Sequence, residues 1–233
     1  MEFLTLDLSG MVVAVAFGIL FILLGFGLGA FFVIVMIMFL VLSAAVTYMG
    51  EKYKRRMGFE QKPRGIKNVL ANGLPPMIMV IFFCIVNLLS NGTLALLFAV
   101  GFLASVAGIT ADKFSSEIGM LNGKPRMIWT MKRVKKGTSG GISLLGVLAG
   151  LVGAFLISSL VMLVVGQYGL FKSAYVFGIR KAIIAVTIAG LVGSLVDSAL
   201  GYFEEKGIGN KFTSNFACGV AAGFVAMFVF VVL

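Results

Sequence analysis

Histidine is absent from this sequence, which removes the commonest general base and a principal ligand of zinc and haem. Cysteine is nearly absent too. Cys84 and Cys218 both lie in apolar runs and no CxxC pair occurs, so neither a thiolate metal site nor a structural disulfide is expected. Charge is scarce: 12% of the 233 residues are charged, with 9 acids against 19 Lys and Arg. With 60% hydrophobic residues the exterior of a soluble fold would itself be apolar, so the surrounding medium is lipid. A polytopic, all-α transmembrane bundle is the expected fold, forming a single integral membrane domain over 1–233.

The N-terminal flank carries Glu2 and Asp7 where a signal peptide would be basic. Hydrophobicity continues past Gly29 without a clear small-residue cleavage site, so no cleaved leader is expected. Apolar runs of membrane length, ~20 residues each, predict helices over about 7–26, 30–49, 68–89, 93–118, 141–165, 182–203 and 214–233. Gly25, Gly27 and Gly29 break the first long run into two. Pro75 and Pro76 fall in the first turns of the third helix and free backbone carbonyls, which in lipid must face protein, water or a ligand.

Seven spans put the loops at 51–67, 119–140 and 204–213 on the side of the N-terminus. Those loops hold seven, six and two basic residues. The opposite link holds three, Lys172, Arg180 and Lys181. Positive residues stay inside, so that side is expected to be cytoplasmic. This bias accounts for the net charge of +10 without nucleic acid, for which an aromatic-studded basic groove is missing. Lys52, Lys54, Arg55 and Arg56 read as headgroup anchors.

A charge inside the hydrocarbon costs ~2.5–3.5 kcal/mol on insertion scales, so an intramembrane acid calls for a partner or a function. Asp112 lies one to two turns before the end of the fourth helix, and Asp197 lies at similar depth in the sixth, within GSLVDSALG. Ser116 and Ser194 share helix faces with them. Lys113 is a poor partner for Asp112, because adjacent helical residues point in different directions. Two carboxylates at one depth need about two positive charges, which Mg²⁺ supplies through hard oxygen ligands. Asp112, Asp197 and Glu117 are the expected metal ligands. Asn72, Asn215 and Asn210 fall on the same level.

The run KKGTSGGIS, Lys135 to Ser143, opens the fifth helix in this reading. Gly137, Gly140 and Gly141 allow backbone N–H groups to turn toward an anion, and Lys135, Lys136, Thr138 and Ser139 add donors. A basic Ser/Gly helix start of no special function has the same composition. No GxxxxGK[ST] loop occurs. Arg64 and Lys67 precede Asn72 and would approach the same face.

Five motifs in this order, RGIKNVLANG, ADKFSSEIG, KKGTSGGIS, GSLVDSALG and NKFTSNF, resemble the integral-membrane family of plant phytyl-phosphate kinase and animal transmembrane protein nineteen. The resemblance covers about residues 8 to 230. It is similar, more distantly, to CTP-dependent polyprenol kinases and CDP-lipid synthases. Lys113 stands where that pattern has threonine, and Thr213-Ser214 where a second Asn or Asp is common.

The resemblance implies a kinase that converts a membrane-embedded prenyl phosphate to the diphosphate with a nucleoside triphosphate, CTP first among the donors. In that reading Asp112, Asp197 and Lys136 are catalytic. Lys135 and the 137–141 backbone would cradle the donor phosphates, and Arg64, Lys67 and Asn72 would position the acceptor. Asn210 and Asn215 would complete the polar shell. Two rivals share the inventory: a CDP-lipid-forming cytidylyltransferase and an ion-binding transporter. The nearly apolar outer halves of most helices argue against the second. The short loops suit a microbial plasma membrane.

Overall fold

A computed structural model of the protein describes residues 5–58, 63–122, 124–163 and 175–233. Seven helices run through the described residues: α1 (Leu8–Leu24), α2 (Gly29–Arg56), α3 (Ile66–Leu88), α4 (Gly92–Asn122), α5 (Leu144–Ser158), α6 (Tyr175–Glu204) and α7 (Lys211–Val232). Among the described residues six helical segments are long and apolar enough to cross a membrane, α5 counting together with the turn and helical residues that follow it to Leu163, and α1 is shorter. The chain is an all-α integral membrane bundle.

Each turn between helices reflects local chemistry. Asp7 caps α1, its carboxylate accepting from Gly10 N–H at 2.7 Å and from Ser9 Oγ at 2.6 Å. The Ser9 hydroxyl first, and then the Gly10 amide, hold that carboxyl below its usual pKa. At the other end of α1 the chain reverses over Phe26–Leu28, where a Cβ on Gly25 would sit 2.5 Å from Gly29 Cα. That early start and tight stop make α1 only 17 residues long, or about 25 Å. Pro75 and Pro76 lie within α3, and the Pro75 ring packs where a Cβ on Gly219 of α7 would stand.

Helix α4 is the axis of the bundle and packs against α2, α3, α5, α6 and α7. It is apolar along most of its length because protein surrounds it. On one flank Phe32 meets Phe102 at 4.4 Å and Phe83 at 5.3 Å between ring centroids, and Phe21 closes on Phe102. On the other flank small residues bring backbones together. A Cβ on Gly108 of α4 would lie 2.8 Å from Ala222 Cβ, and one on Gly193 of α6 only 2.7 Å from Cys218 O.

The starts of α1, α3, α5 and α7 and the ends of α2, α4 and α6 gather at one end of the bundle. Asp7 N–H bonds Arg64 O, Arg64 reaches Thr47 of α2, and Lys211 reaches Asp197 of α6. The described basic loops meet there, as parity predicts. Between α4 and α5 the chain forms a two-stranded antiparallel hairpin, β1 (Arg126–Met127) with β2 (Gly141–Ile142), Arg126 opposite Ile142.

Several boundaries differ from the expectation. The polar residues Glu51–Arg56 continue α2, where Arg55 and Glu51 pair at i,i+4. Helix α4 continues four residues past Ile118, so Asp112 lies nearly three turns from its end. Helix α5 starts at Leu144, capped by the Ser143 hydroxyl, and Gly141 belongs to a strand. Arg180 and Lys181 lie in α6, which begins earlier than expected. Lys172 lies outside the described residues.

The close approach of α6 and α7 yields a test. Gly193→Val is expected to cost about 1–3 kcal/mol by overpacking, read as a lower thermal unfolding midpoint in detergent. An unchanged midpoint would mean the seam tolerates a wider spacing.

Candidate functional site

At the loop-bearing end a cavity of about 210 Å³ opens between α4, α5, α6 and the hairpin. Its floor carries Asp112 of α4 and Asp197 of α6. The two carboxyls face each other closely enough to interact, and Lys211 at the start of α7 acts on both. Lys211 Nζ lies 2.6 Å from Asp197 Oδ2. Asp197 Oδ1 is buried and has no partner among the described residues. Ser194 Oγ donates to Ser115 Oγ at 3.3 Å and ties α6 to α4 beside the acids.

The roof is the 136–141 turn. Gly137 and Gly140 have φ of 85° and 78°, the left-handed region that glycine adopts without strain. Gly140 sits so close to α6 that a Cβ there would meet Tyr202 N at 2.6 Å. Polar contacts fix the turn further. Ser139 N–H donates to Glu205 Oε1 and its hydroxyl to Glu204 Oε2, both at 2.8 Å, while Glu204 also takes the Ser214 hydroxyl from α7. Lys136 Nζ donates to Tyr53 OH at 2.8 Å and to Leu121 O at 3.4 Å. Trp129 Nε1 donates to Ala199 O at 2.9 Å and pins the hairpin to α6.

The family model described as integral membrane protein DUF92 matches residues 2–225. The chain belongs to the DUF92 family. An uncharacterized membrane protein of Methanocaldococcus jannaschii is 37% identical over 91% of this chain and 82% of its own. Protein PGR of Arabidopsis thaliana is 32% identical over 84% of this chain and 71% of its own. Protein VTE6, chloroplastic, of the same plant is 30% identical over 52% of this chain and 37% of its own. No solved structure matches the chain.

In this DUF92 chain the cavity lining brings together Asp112, Ser116, Lys136, Gly137, Thr138, Ser139, Gly140, Gly141 and Asp197. Other expected residues stand elsewhere. Glu117 faces the opposite flank of α4, where Lys113 Nζ lies 2.6 Å from its Oε1 and Lys54 pairs with its Oε2. Burial, and then the nearby Arg64 charge, lower the Lys54 pKa to about 8. Lys135 is exposed and does not line the cavity. Asn210 caps α7, accepting from Phe212 and Thr213 N–H in a capping box with Thr213. Asn215 is buried in α7 with an unpartnered Oδ1 among the described residues. Arg64, Lys67 and Asn72 lie on the α3 side of the bundle.

Lys211 was missed because a lysine just outside an apolar run reads as topology. Its signal was the excess of two aspartates over any partner in their own helices.

Among the described residues no three His, Cys, Asp or Glu side chains converge on one point. The paired carboxylates and the unpartnered Asp197 Oδ1 are hard oxygen donors of the kind that Mg²⁺ takes, one or two carboxylates sufficing where other oxygen ligands complete its shell.

Lys211→Met removes the counter-charge of two facing acids. A fully buried broken pair costs about 3–5 kcal/mol. With the Lys211 side chain 54% exposed the expected loss is smaller, about 1–3 kcal/mol in metal-free buffer. Adding Asp197→Asn to that variant should recover part of it, because the surplus charge goes too. Equal unfolding midpoints for the single and double variants would show that the charge balance is unimportant.

Proposed function

We propose that this chain is a kinase that phosphorylates a membrane-embedded prenyl phosphate to the prenyl diphosphate with a nucleoside triphosphate, CTP first among the donors. One observation carries the reading: Asp112, Asp197 and Lys211 converge under the glycine-rich 136–141 turn, in one cavity, at the end of the bundle that bears the basic loops. The ordered motifs shared with the phytyl-phosphate kinase family supply the reaction class, and the site chemistry agrees with it.

Phosphoryl transfer asks for positioning and charge neutralisation more than for covalent help. An oxygen of the acceptor phosphate attacks the donor γ-phosphorus, the bond from that phosphorus to the bridging oxygen breaks, and the nucleoside diphosphate leaves. The acceptor is already an anion, so no general base is required and the lack of histidine is no obstacle. Bound Mg²⁺ would supply charge neutralisation and alignment of the donor phosphates.

Asp112 and Asp197 hold the cation side of the site. Lys136 and Lys211 offer ammonium donors to phosphate oxygens, each released from its present partner, Tyr53 or Asp197. Gly137, Gly140 and Gly141 bring bare backbone over the donor, with the Thr138 hydroxyl beside them. Arg64, Lys67 and Asn72, expected to position the acceptor, line the α3 side across α4 from this cavity. The acceptor phosphate therefore meets the donor inside the cavity, where Lys136 and Lys211 are the lysines in its lining. Glu117, bound by two lysines, steadies the basic flank instead of the metal. The active site faces the cytoplasm, in accord with the basic loops, in a microbial plasma membrane.

Purified protein given a prenyl phosphate and γ-labelled CTP should place the label in the lipid. Asp112→Asn and Asp197→Asn should each lower the rate about a hundredfold or more. Wild-type rates in both variants would end the assignment, and label in free pyrophosphate would mean cytidylyl transfer.

A further inference from the structure

None of residues 126–135 lines the cavity beneath the roof hairpin, yet this stretch is unlike an idle loop. Lys124, Arg126, Lys132, Arg133 and Lys135 are all exposed. The sequence has no acid between Glu117 and Asp197, and among the described residues none of the five cations stands in an ion pair. Topology accounts for cations on this side of the membrane. It does not account for what stands among them.

Trp129 and Met131 are both more than half exposed at the hairpin tip, while Met127 is buried and anchors it. Met131 has φ of 53°, the left-handed region that a side chain rarely adopts. The hairpin holds it there: Met131 N–H donates to Met127 O at 2.8 Å, and Met131 O accepts from Arg126 Nη1 at 3.3 Å. A non-glycine residue kept in this conformation is a cost that function can explain. Here it leaves an apolar side chain on the outside, two residues from the indole and next to Lys132 and Arg133.

The level of the tip fits a bilayer surface. Trp129 Nε1 donates to Ala199 O, five residues before the end of α6, so the indole lies about 7.5 Å below that end. At the base of the hairpin β2 stops at Ile142, and Leu144 at the start of α5 is 78% exposed. An apolar side chain so bare marks where hydrocarbon begins. The hairpin therefore borders the headgroup layer, the level at which tryptophan is enriched in membrane proteins.

We propose that the hairpin docks on the anionic phospholipid headgroups of the surrounding bilayer, with Trp129 and Met131 seated in the wet headgroup layer and the five cations against lipid phosphates. Exposed apolar side chains flanked by unpaired Lys and Arg are complementary to that surface, and each cation adds attraction to it. The same hairpin roofs the cavity, so the charge of the bilayer bears on how firmly the roof is held. This docking is independent of the reaction that the cavity carries out.

A nitroxide at Thr130→Cys, in a Cys84→Ser background, reports the position of the tip in nanodiscs through collisions with a water-soluble nickel complex. Adding phosphatidylglycerol to phosphatidylcholine should lower nickel access about threefold. The double variant Lys132→Gln, Arg133→Gln should lose most of that change. Molar salt should reverse it in the parent protein, an independent check that needs no further substitution. Equal access in the two bilayers would overturn the proposal, as would a fall that survives both the double variant and salt. The same fall in pure phosphatidylcholine on adding inorganic phosphate would also overturn it, because the patch would then take small anions in place of a lipid surface.

Discussion

Asp197 accepts from Lys211 at 2.6 Å while Asp112 faces it from the neighbouring helix. Two carboxylates among apolar helices are tolerable only where a cation is held against them. That requirement organises the end of the bundle. Helix α7 must begin at the level of the acids so that Lys211 can reach them, and Asn210 and Thr213 cap it at that height. Helices α4, α6 and α7 must approach closely, which Gly108, Gly193 and Ala222 allow. The hairpin then closes over the pair, held by Ser139 to Glu204 and Glu205.

Helix α4 separates two electrostatic environments. One flank presents Asp112 to Asp197 and Lys211, with little positive charge to spare. The opposite flank gathers Lys54, Lys113 and Arg64 around Glu117, where cations outnumber acids. The helix that carries ADKFSSEIG presents both environments, because residues 112 and 113 point in different directions.

The fold class was legible from apolar run length, and the end that bears the basic loops from parity. The two aspartates stood out because charge in an apolar run is expensive wherever the fold places it. The rest depended on register between distant segments. Lys211 looks like any interfacial lysine until α7 is laid against α6. Glu117 looks like a third ligand until α2 brings Lys54 to it. The KKGTSGG run has the composition of a helix start, yet its glycines serve a turn that packs against α6, and Ser143 does the capping. Helix ends were missed where polar residues carry on a helix past the lipid, as in Glu51–Arg56.

Trp129 is the single tryptophan of the chain. It stands on the hairpin that roofs the cavity, bonded to Ala199 O and edge-on to Phe203 with centroids 6.5 Å apart. Its indole is 59% exposed, so water reaches one side and α6 the other. The tryptophan fluorescence of the protein, excited apart from its 5 tyrosines, therefore originates at one point of the roof. Lifting of the hairpin from α6, by a ligand or by loss of the Ser139 contacts, is visible as an emission shift with no label attached.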